Sequence, residues 1–232
     1  MMAAIASREL RDGEVVFVGI GLPNLACNLA RRTHAPHLVL IYESGAVGAA
    51  PQRLPVSIGD PALVTGSLMV CGMADVFQLF LQNGRIEVGF LGGAQVDRYA
   101  NINTTVIGPY ARPTVRLPGS GGAAEIAIHA KRILIIAKLS RRAFPERVDF
   151  LTSPGHRVVK VITDKGVLER EEQSGELMLA GLYPGIEATE VQAAVGWNLR
   201  CRPQLERLER PTSIELQLLR EVLDPQRLYL KS

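Results

Sequence analysis

Glu43 is the residue of this sequence whose type and position best suit covalent chemistry. It follows the apolar run Leu38 to Tyr42 and precedes Ser44 and Gly45. An unbroken apolar run is typical of a parallel strand that is buried on both faces. A carboxylate at the carboxyl end of such a strand lies where open α/β sheets bind ligands. The pattern therefore predicts a ligand-facing Glu43, and an acid that merely ends the turn in solvent is the alternative.

Three glycine-rich turns offer backbone N–H groups that could serve the same chemistry. They read GIGLPN after the first predicted strand, GGAQVD after the strand ending at Leu91, and LPGSGGAA before an alanine-rich helix. Uncovered N–H groups at the starts of helices attract anions and developing oxyanions. A nucleophilic carboxylate needs such donors where the attacked carbonyl oxygen becomes negative. We expect the turns to converge on Glu43, with independent packing turns as the alternative.

The glycine turns match neither common nucleotide-binding motif. GIGLPN lacks the third glycine of a dinucleotide-binding fingerprint, and it also lacks the lysine of a phosphate-binding P-loop. The turn alone is therefore a weak signal, and its weight comes from the other elements around it.

The order of elements predicts an α/β fold with a mostly parallel sheet flanked by helices and an antiparallel meander near the C-terminus. The long segment 49–68, rich in Pro and Gly, predicts an excursion that either covers the site or only connects two elements. The helix predicted from Met73 to Leu81 has Val76, Leu79 and Phe80 as its apolar face. The other predicted elements are helices at 2–10, 23–30, 123–130 and 189–195, strands at 14–18, 38–42, 86–91 and 133–137, a meander at 157–162, 167–168 and 176–182, and a last helix capped by Thr212 and Glu215.

Composition argues against several classes of function. The 232 residues are 47% hydrophobic and 21% charged, with a net charge of +3 from 26 basic and 23 acidic residues. A balance this modest, without a basic run, gives no support for a nucleic-acid partner. No apolar run approaches the eighteen residues of a membrane span, and Arg8 and Glu9 interrupt the N-terminal pattern too early for a signal peptide.

Cysteine and histidine spacing predicts neither a disulfide framework nor a metal site. The three cysteines are far apart and odd in number, so we expect reduced thiols in the core and a cytoplasmic location. The histidines are equally scattered, so no metal is expected. These residues are Cys27, Cys71, Cys201, His34, His37, His129 and His156.

Taken together, the motifs GIGLPNLA, YESG, GGAQVD and RLPGSGGA, in this order, resemble the β subunit of class I coenzyme A transferases. The resemblance is greatest to the glutaconate CoA-transferase B branch, which also contains 3-oxoadipate CoA-transferase subunits and ring-cleaving hydrolases. It implies the fold shared with ribose-5-phosphate isomerases, over a single domain of residues 1–232 with a core of about 1–200 and a C-terminal extension at 201–232. It also implies an α-subunit partner in an α2β2 or larger assembly and no permanently bound cofactor.

The resemblance assigns a role to each matching position. Glu43 corresponds to the nucleophile, which would attack an acyl-CoA thioester and become a glutamyl-CoA thioester, with coenzyme A as substrate and covalent intermediate. A carboxylic acid, dicarboxylic or 3-oxo, would accept the CoA in a ping-pong reaction. The implied oxyanion donors are Gly19, Ile20, Gly21, Gly121 and Gly122, and the implied CoA- and acyl-binding residues are Asn24, Ser44, Gly45, Gly92, Gly93 and Gln95.

Two alternatives to the transferase stay open. Ketoacid transferases usually have Asn where this chain has Ser44, so the ESG sequence fits the glutaconate branch and leaves the substrate undecided. An acyl-CoA hydrolase or C–C cleaving enzyme of the same family would use Glu43 as a general base. A non-catalytic chain that only binds would keep the fold alone.

Overall fold

Short parallel strands position Glu43 in the computed structural model, which describes residues 1–51 and 53–230. Strand β1 (Val15–Phe17) pairs in parallel with β2 (Val39–Ile41) and, on its other side, with β5 (Val88–Leu91). Strands β3 (Ala46–Val47) and β4 (Met69–Val70) continue from β2 in antiparallel fashion. The predicted parallel unit around Glu43 is confirmed.

The chain forms two compact units. The first comprises Met1–Phe90, His129–Lys131 and the chain from Pro211 onward, and the second comprises Leu91–Ile128 and Arg132–Arg210. The prediction of a single domain with a C-terminal extension stays a prediction.

Helices from both ends of the chain form a common core in the first unit. Helix α1 (Met2–Arg8) packs against α2 (Leu22–Arg31), and α6 (Ser213–Gln217) continues as a π-helical segment, Leu218–Leu223. Proline is tolerated in the first turn of α2 because the N–H it lacks would have no helical partner. Their apolar side chains form one buried cluster with the excursion residue Leu54: Ala3, Ala4, Leu25, Leu29, Leu54, Leu219 and Leu223.

The predicted capping box at the start of α6 is confirmed. The Thr212 hydroxyl accepts a hydrogen bond from the Glu215 N–H at 3.1 Å, and the Glu215 carboxylate accepts one from the Thr212 N–H at 2.7 Å. Glu215 also receives two hydrogen bonds from the Arg8 guanidinium, at 3.0 and 2.7 Å. The cap therefore also connects α6 to α1.

The helix predicted at 73–81 exists, and Val76 of its predicted apolar face is buried, but Leu79 of that face is not. Helix α3 (Met73–Asp75) passes into a π-helical segment, Val76–Leu81. A π-helix has more residues per turn than the α-helix on which the prediction was based. Val76 and Leu81, five residues apart, are therefore the fully buried pair, whereas Leu79 is 50% exposed.

The second unit contains the predicted antiparallel meander and one strand that was not predicted. Its large sheet has the order β14 (Cys201–Arg207), β13 (Leu177–Leu182), β12 (Gly166–Arg170), β11 (Val158–Ile162), β10 (Arg132–Ile136). Strand β14 pairs in parallel with β13 at the end of this order, where the missing N–H of Pro203 is tolerated.

The remaining elements of this unit are short. They are β6 (Gln95–Val96), β7 (Ile102–Asn103), β8 (Val106–Ile107), β9 (Val115–Arg116), α4 (Ala123–His129, whose last residue is counted with the first unit) and α5 (Ala188–Ala193).

Asp60 organises the excursion at 49–68, which contains one 3₁₀ turn, Pro61–Val64. Its carboxylate accepts two hydrogen bonds from the Arg53 guanidinium, at 2.7 and 2.8 Å, and two from backbone N–H groups, those of Val56 and Ala62. These contacts hold the pKa of Asp60 well below its usual range, and the hydrogen bonds from Arg53 have the largest effect. The excursion is therefore a fixed structure over these residues.

The described part of the chain lacks two further features. No helix within residues 1–51 and 53–230 is both long and apolar enough to cross a membrane. The same residues contain no group of three or more His, Cys, Asp or Glu side chains that could hold a metal ion.

Leu219→Ala is expected to lower the free energy of unfolding by about 2 to 4 kcal/mol, because it leaves a cavity in the cluster shared by α1, α2 and the C-terminal helix. Leu219 is 3% exposed, whereas Val222 in the same segment is 45% exposed. Val222→Ala is the matched control and should change the value by less than about 0.5 kcal/mol. Urea unfolding followed by circular dichroism measures both, and equal losses would contradict the packing described here.

Asp60→Asn is expected to destabilise the protein at pH 7, and by a smaller amount at pH 3, where the unfolded chain already binds the proton that the folded chain still excludes. A carboxyl group whose folded pKa is lowered contributes stability above its unfolded pKa of about 4, and this contribution is lost as pH falls through the folded pKa. The advantage of the wild type over the variant should therefore shrink, without vanishing, between pH 7 and pH 3. Urea unfolding at the two pH values measures this, with the exposed Glu172→Gln as control. A difference between wild type and Asp60→Asn that is the same at both pH values would contradict the role of the charge.

Candidate active site

Glu43 and Ser44 occupy the centre of the tight turn between β2 and β3. The Gly45 N–H donates to the Tyr42 carbonyl at 2.9 Å, and the Tyr42 N–H donates to the Ala46 carbonyl at 3.0 Å. These two bonds fix the backbone on both sides of Glu43. The acid therefore lies at the carboxyl end of a buried parallel strand, as the sequence predicted.

The Glu43 side chain is half-buried and Ser44 beside it is exposed. Within residues 1–51 and 53–230, no side chain or backbone group forms a hydrogen bond or ion pair with the Glu43 carboxylate. A carboxylate that is neither paired with a cation nor hydrogen-bonded keeps its lone pairs free for attack on an electrophile.

Gly45 is pressed against the residue that follows β4. Its φ is +106°, and a Cβ at this position would lie 1.9 Å from the Cys71 carbonyl oxygen. The Cys71 N–H in turn donates to the Gly45 carbonyl at 3.0 Å. Only glycine combines this backbone conformation with this close approach, so the turn depends on it.

The first glycine turn comes directly after β1, the neighbour of β2. The register pairs Phe17 with Ile41, and the Val18 N–H donates to the Ile41 carbonyl at 3.0 Å. Continued by two residues, this register aligns Gly19 with Glu43. The N–H groups of Gly19, Ile20 and Gly21 donate no hydrogen bond to any described residue, and Gly21 is the N-cap of α2. The first unit thus brings a free carboxylate and three free amides to one edge.

Asn24, predicted to contact CoA or the acyl group, lies inside the protein. It is 1% exposed, and its amide nitrogen donates to the Tyr42 hydroxyl at 3.0 Å. Its amide oxygen accepts a hydrogen bond from the Asn28 side chain at 2.5 Å. Burial also raises the pKa of the Tyr42 phenol, which therefore stays protonated. The side chain of Asn24 thus joins the start of α2 to the residue before Glu43.

In the second unit, Gln95 is also held by protein contacts. Its side-chain oxygen accepts hydrogen bonds from the Asn103 amide at 2.8 Å and from the Asp149 N–H at 3.0 Å. A Cβ on Gly93 would lie 2.3 Å from the Ile102 side chain, so this glycine allows β6 and β7 to pack closely. Gly92 is exposed.

Gly121 and Gly122 lie in the turn before α4, as predicted. Gly121 has a φ of +48° and is exposed, and the Gly122 carbonyl accepts the N–H of Ile126 as a first helical bond. Their own N–H groups donate to no other residue in the part of the chain that the structure describes. That the turns around Gly92 and Gly121 serve Glu43 stays a prediction.

The family model described as "Coenzyme A transferase" matches residues 1–194 of this chain. The chain belongs to the coenzyme A transferase family. The predicted resemblance is confirmed, and with it the α/β fold class.

Two CoA-transferase B subunits and one CoA-transferase crystal structure are similar to this chain over nearly its whole length. The B subunit of 3-oxoadipate CoA-transferase from Pseudomonas knackmussii is 48% identical, over 95% of this chain and 90% of its own. The B subunit of glutaconate CoA-transferase from Acidaminococcus fermentans is 32% identical, over 100% of this chain and 94% of its own. The crystal structure of glutaconate coenzyme A-transferase from the same organism matches with a TM-score of 0.93 at 30% identity, covering 100% of this chain and 96% of that one.

A more distant relative is named as a subunit of a hydrolase. The IpdB chain of the cholesterol ring-cleaving hydrolase of Mycobacterium tuberculosis is 27% identical, over 98% of this chain and 95% of its own. The relatives of this coenzyme A transferase family member thus include a chain of a hydrolase.

Sequence reasoning missed two residues that hold the Glu43 turn in this family member. Tyr42 was assigned only to an apolar strand, although its hydroxyl is hydrogen-bonded to Asn24. Cys71 was assigned only as a reduced core thiol, although its backbone holds Gly45. The core placement is correct for Cys27, whereas Cys71 and Cys201 are half-buried. The polar hydroxyl at the end of the apolar run was a usable signal for the first residue, and nothing local marked the second.

Gly45→Ala is expected to lower the free energy of unfolding by more than about 2 kcal/mol, because the added methyl group meets a backbone oxygen and the backbone is left-handed. Gly59→Ala is the matched control, since a Cβ there meets no atom within 4 Å and φ is ordinary. Chemical denaturation of both variants measures the difference. An alanine at position 45 that is tolerated as well as one at position 59 would contradict the close contact with Cys71.

Proposed function

We propose that this chain is the β subunit of an enzyme that moves coenzyme A from an acyl-CoA to a carboxylic acid through a thioester on Glu43. The observation that carries the proposal is the free Glu43 carboxylate at the end of β2, aligned with the unpaired amides of the GIGLPN turn. Membership of the coenzyme A transferase family supports it independently.

In the proposed first half-reaction, a carboxylate oxygen of Glu43 attacks the thioester carbonyl of the acyl-CoA. The oxygen of the tetrahedral intermediate becomes negative, and the N–H groups of Gly19, Ile20 and Gly21 would donate hydrogen bonds to it. The C–S bond then breaks, which gives a mixed acyl-glutamyl anhydride and the CoA thiolate. The thiolate attacks the glutamyl carbonyl of the anhydride and releases the first acid, so that Glu43 becomes a glutamyl-CoA thioester.

The second half-reaction runs the same steps in reverse with another acid. The acceptor carboxylate attacks the glutamyl thioester, expels the CoA thiolate and forms a new anhydride. The thiolate then attacks the acceptor's carbonyl, which yields the new acyl-CoA and restores the Glu43 carboxylate. No proton has to be transferred in either half-reaction, which is consistent with the absence of a paired base at Glu43 among the described residues.

For the substrates, we propose dicarboxylic or 3-oxo acids. The names of the relatives at 48% and 32% identity, 3-oxoadipate and glutaconate CoA-transferase, support this class. Coenzyme A takes part as substrate and as covalent intermediate, and no permanently bound cofactor is required by these steps.

The proposed partner is an α subunit in an α2β2 or larger complex. Both named relatives are the B subunits of their enzymes, which supports a second kind of chain here. Exposure of Ser44 next to Glu43 is consistent with a site that another chain completes. A cytoplasmic location is part of the proposal, since the three cysteines are free.

A hydrolase or C–C cleaving enzyme is the second candidate, because a hydrolase chain is among the relatives. In that enzyme Glu43 would act as a general base on water or a carbon acid. A hydrolase would consume acyl-CoA without an acceptor acid and would accumulate no thioester on Glu43. A non-catalytic chain that only binds would do neither.

Glu43→Gln is expected to lower the transfer rate of the complete complex at least about 10³-fold, because a neutral amide cannot attack the thioester. Incubation with acyl-CoA followed by intact-mass analysis should detect a CoA adduct on the wild-type chain and none on the variant. Glu172→Gln, at an exposed acid of the second unit, is the matched control. It should keep the wild-type transfer rate and the CoA adduct.

Three results would contradict parts of this proposal. Appreciable transfer by the Glu43→Gln complex would exclude the nucleophile. Acyl-CoA consumption that needs no acceptor acid would favour the hydrolase. Full transfer by this chain purified without a partner would exclude the α subunit. A panel of dicarboxylic and 3-oxo acids as acceptors then determines the substrate.

A further inference from the structure

Backbone hydrogen bonds between β1 and β2 end before the site begins. The last one joins the Val18 N–H to the Ile41 carbonyl at 3.0 Å. Beyond it, the GIGLPN turn and the Glu43 turn share no backbone hydrogen bond among the described residues. Their relative position nevertheless decides whether the amides reach an oxyanion formed at Glu43.

One side-chain contact connects the two turns beyond that point. The Asn24 amide donates to the Tyr42 hydroxyl at 3.0 Å, and it is the only hydrogen bond between residues 19–24 and 42–45 within the described chain. Asn24 lies in the first turn of α2, three residues after Gly21, and Tyr42 directly precedes Glu43. The bond therefore connects the element that carries the amides to the element that carries the carboxylate.

The contact is rigid because both partners are buried and held. Tyr42 is 0% exposed and Asn24 is 1% exposed. Asn28, one helical turn later, donates to the Asn24 side-chain oxygen at 2.5 Å and to its backbone oxygen at 3.0 Å. This orients the Asn24 amide with its nitrogen toward Tyr42. A buried, satisfied polar network of this kind has one favoured arrangement.

We infer that Tyr42 and Asn24 are positioning residues, which hold Glu43 at the distance from the Gly19–Gly21 amides that acyl transfer requires. This inference rests on the proposed function of Glu43. Neither side chain touches the reacting atoms, since both are inside the protein. Their effect is on geometry, where an error of about 1 Å can cost about 10²-fold in rate.

Tyr42→Phe tests this inference, because it removes the hydroxyl and keeps the ring in the core. In the complete complex we expect kcat to fall about 10- to 100-fold while KM for acyl-CoA changes less than about 3-fold. The rate of CoA-adduct formation on Glu43, followed by quenched-flow intact mass, should fall by the same factor. A substitution that affects only folding would lower the amount of active enzyme. It would leave unchanged the rate of CoA-adduct formation in those molecules that can form the adduct.

Tyr183→Phe is the matched control. Tyr183 is 3% exposed, and its hydroxyl is buried without a hydrogen-bond partner among the described residues. The same atom is therefore removed from a buried tyrosine that holds no such contact. This variant should keep the wild-type kcat and adduct rate.

Asn24→Ala and the double variant complete the test. If the two residues act through their mutual bond, the double variant should lose no more activity than the worse single variant. Losses that multiply, or a Tyr42→Phe enzyme with wild-type kcat, would overturn the inference. Should Tyr42→Phe not fold, Asn24→Ala is compared with wild type by the same adduct rate, and an unchanged rate overturns the inference. Glu43→Gln tests the nucleophile independently. If Tyr42→Phe has wild-type rates and Glu43→Gln is inactive, the positioning role of Tyr42 is excluded and the proposed function of Glu43 stands.

Discussion

The site depends on a steric constraint at Gly45. The backbone there is left-handed and lies so close to the Cys71 carbonyl that no side chain fits. This contact and the two backbone hydrogen bonds of the turn fix the backbone at Glu43, while its carboxylate forms no hydrogen bond or ion pair with any residue that the structure describes. A salt bridge would fix the side chain equally well, but it would stabilise the charge that has to attack. Backbone packing avoids that conflict between holding a nucleophile and leaving it reactive.

This constraint makes the site dependent on distant parts of the chain. Cys71 can support Gly45 only if the excursion before it returns to the same place, and Asp60 and Leu54 fix that excursion. Leu54 belongs to the cluster formed by α1, α2 and the C-terminal helix, and the Tyr229 hydroxyl donates to the Pro55 carbonyl from the end of the described chain. Residues far from Glu43 in the sequence therefore contribute to the stability of the segment that supports it.

The sequence predicted those features that follow from local rules. The apolar run, the glycine at the turn and the capping box at Thr212 each have a single-segment cause, and each is present. Leu79 was wrongly assigned to the apolar face of the 73–81 helix because its π-helical turns depend on tertiary packing, which spacing alone does not encode. Strand β14 was missed since Pro203 and its charged neighbours argue against a strand anywhere but at an edge. At the site, the positions of the glycines could be predicted from the sequence. The contacts of Tyr42 and Cys71 could not, because they join segments that are distant in sequence.

The relatives bear names of both transferases and a hydrolase, so the fold by itself does not decide the reaction. Both reactions can use the same carboxylate, and they differ in what reaches the acyl group next. A transferase has to keep water from a glutamyl thioester until an acid arrives, whereas a hydrolase admits water directly. In this chain Ser44 leaves one side of the turn open to solvent. On the proposed mechanism, the β chain therefore supplies the nucleophile and the amides, and whatever covers Ser44 in the assembled enzyme decides between transfer and hydrolysis.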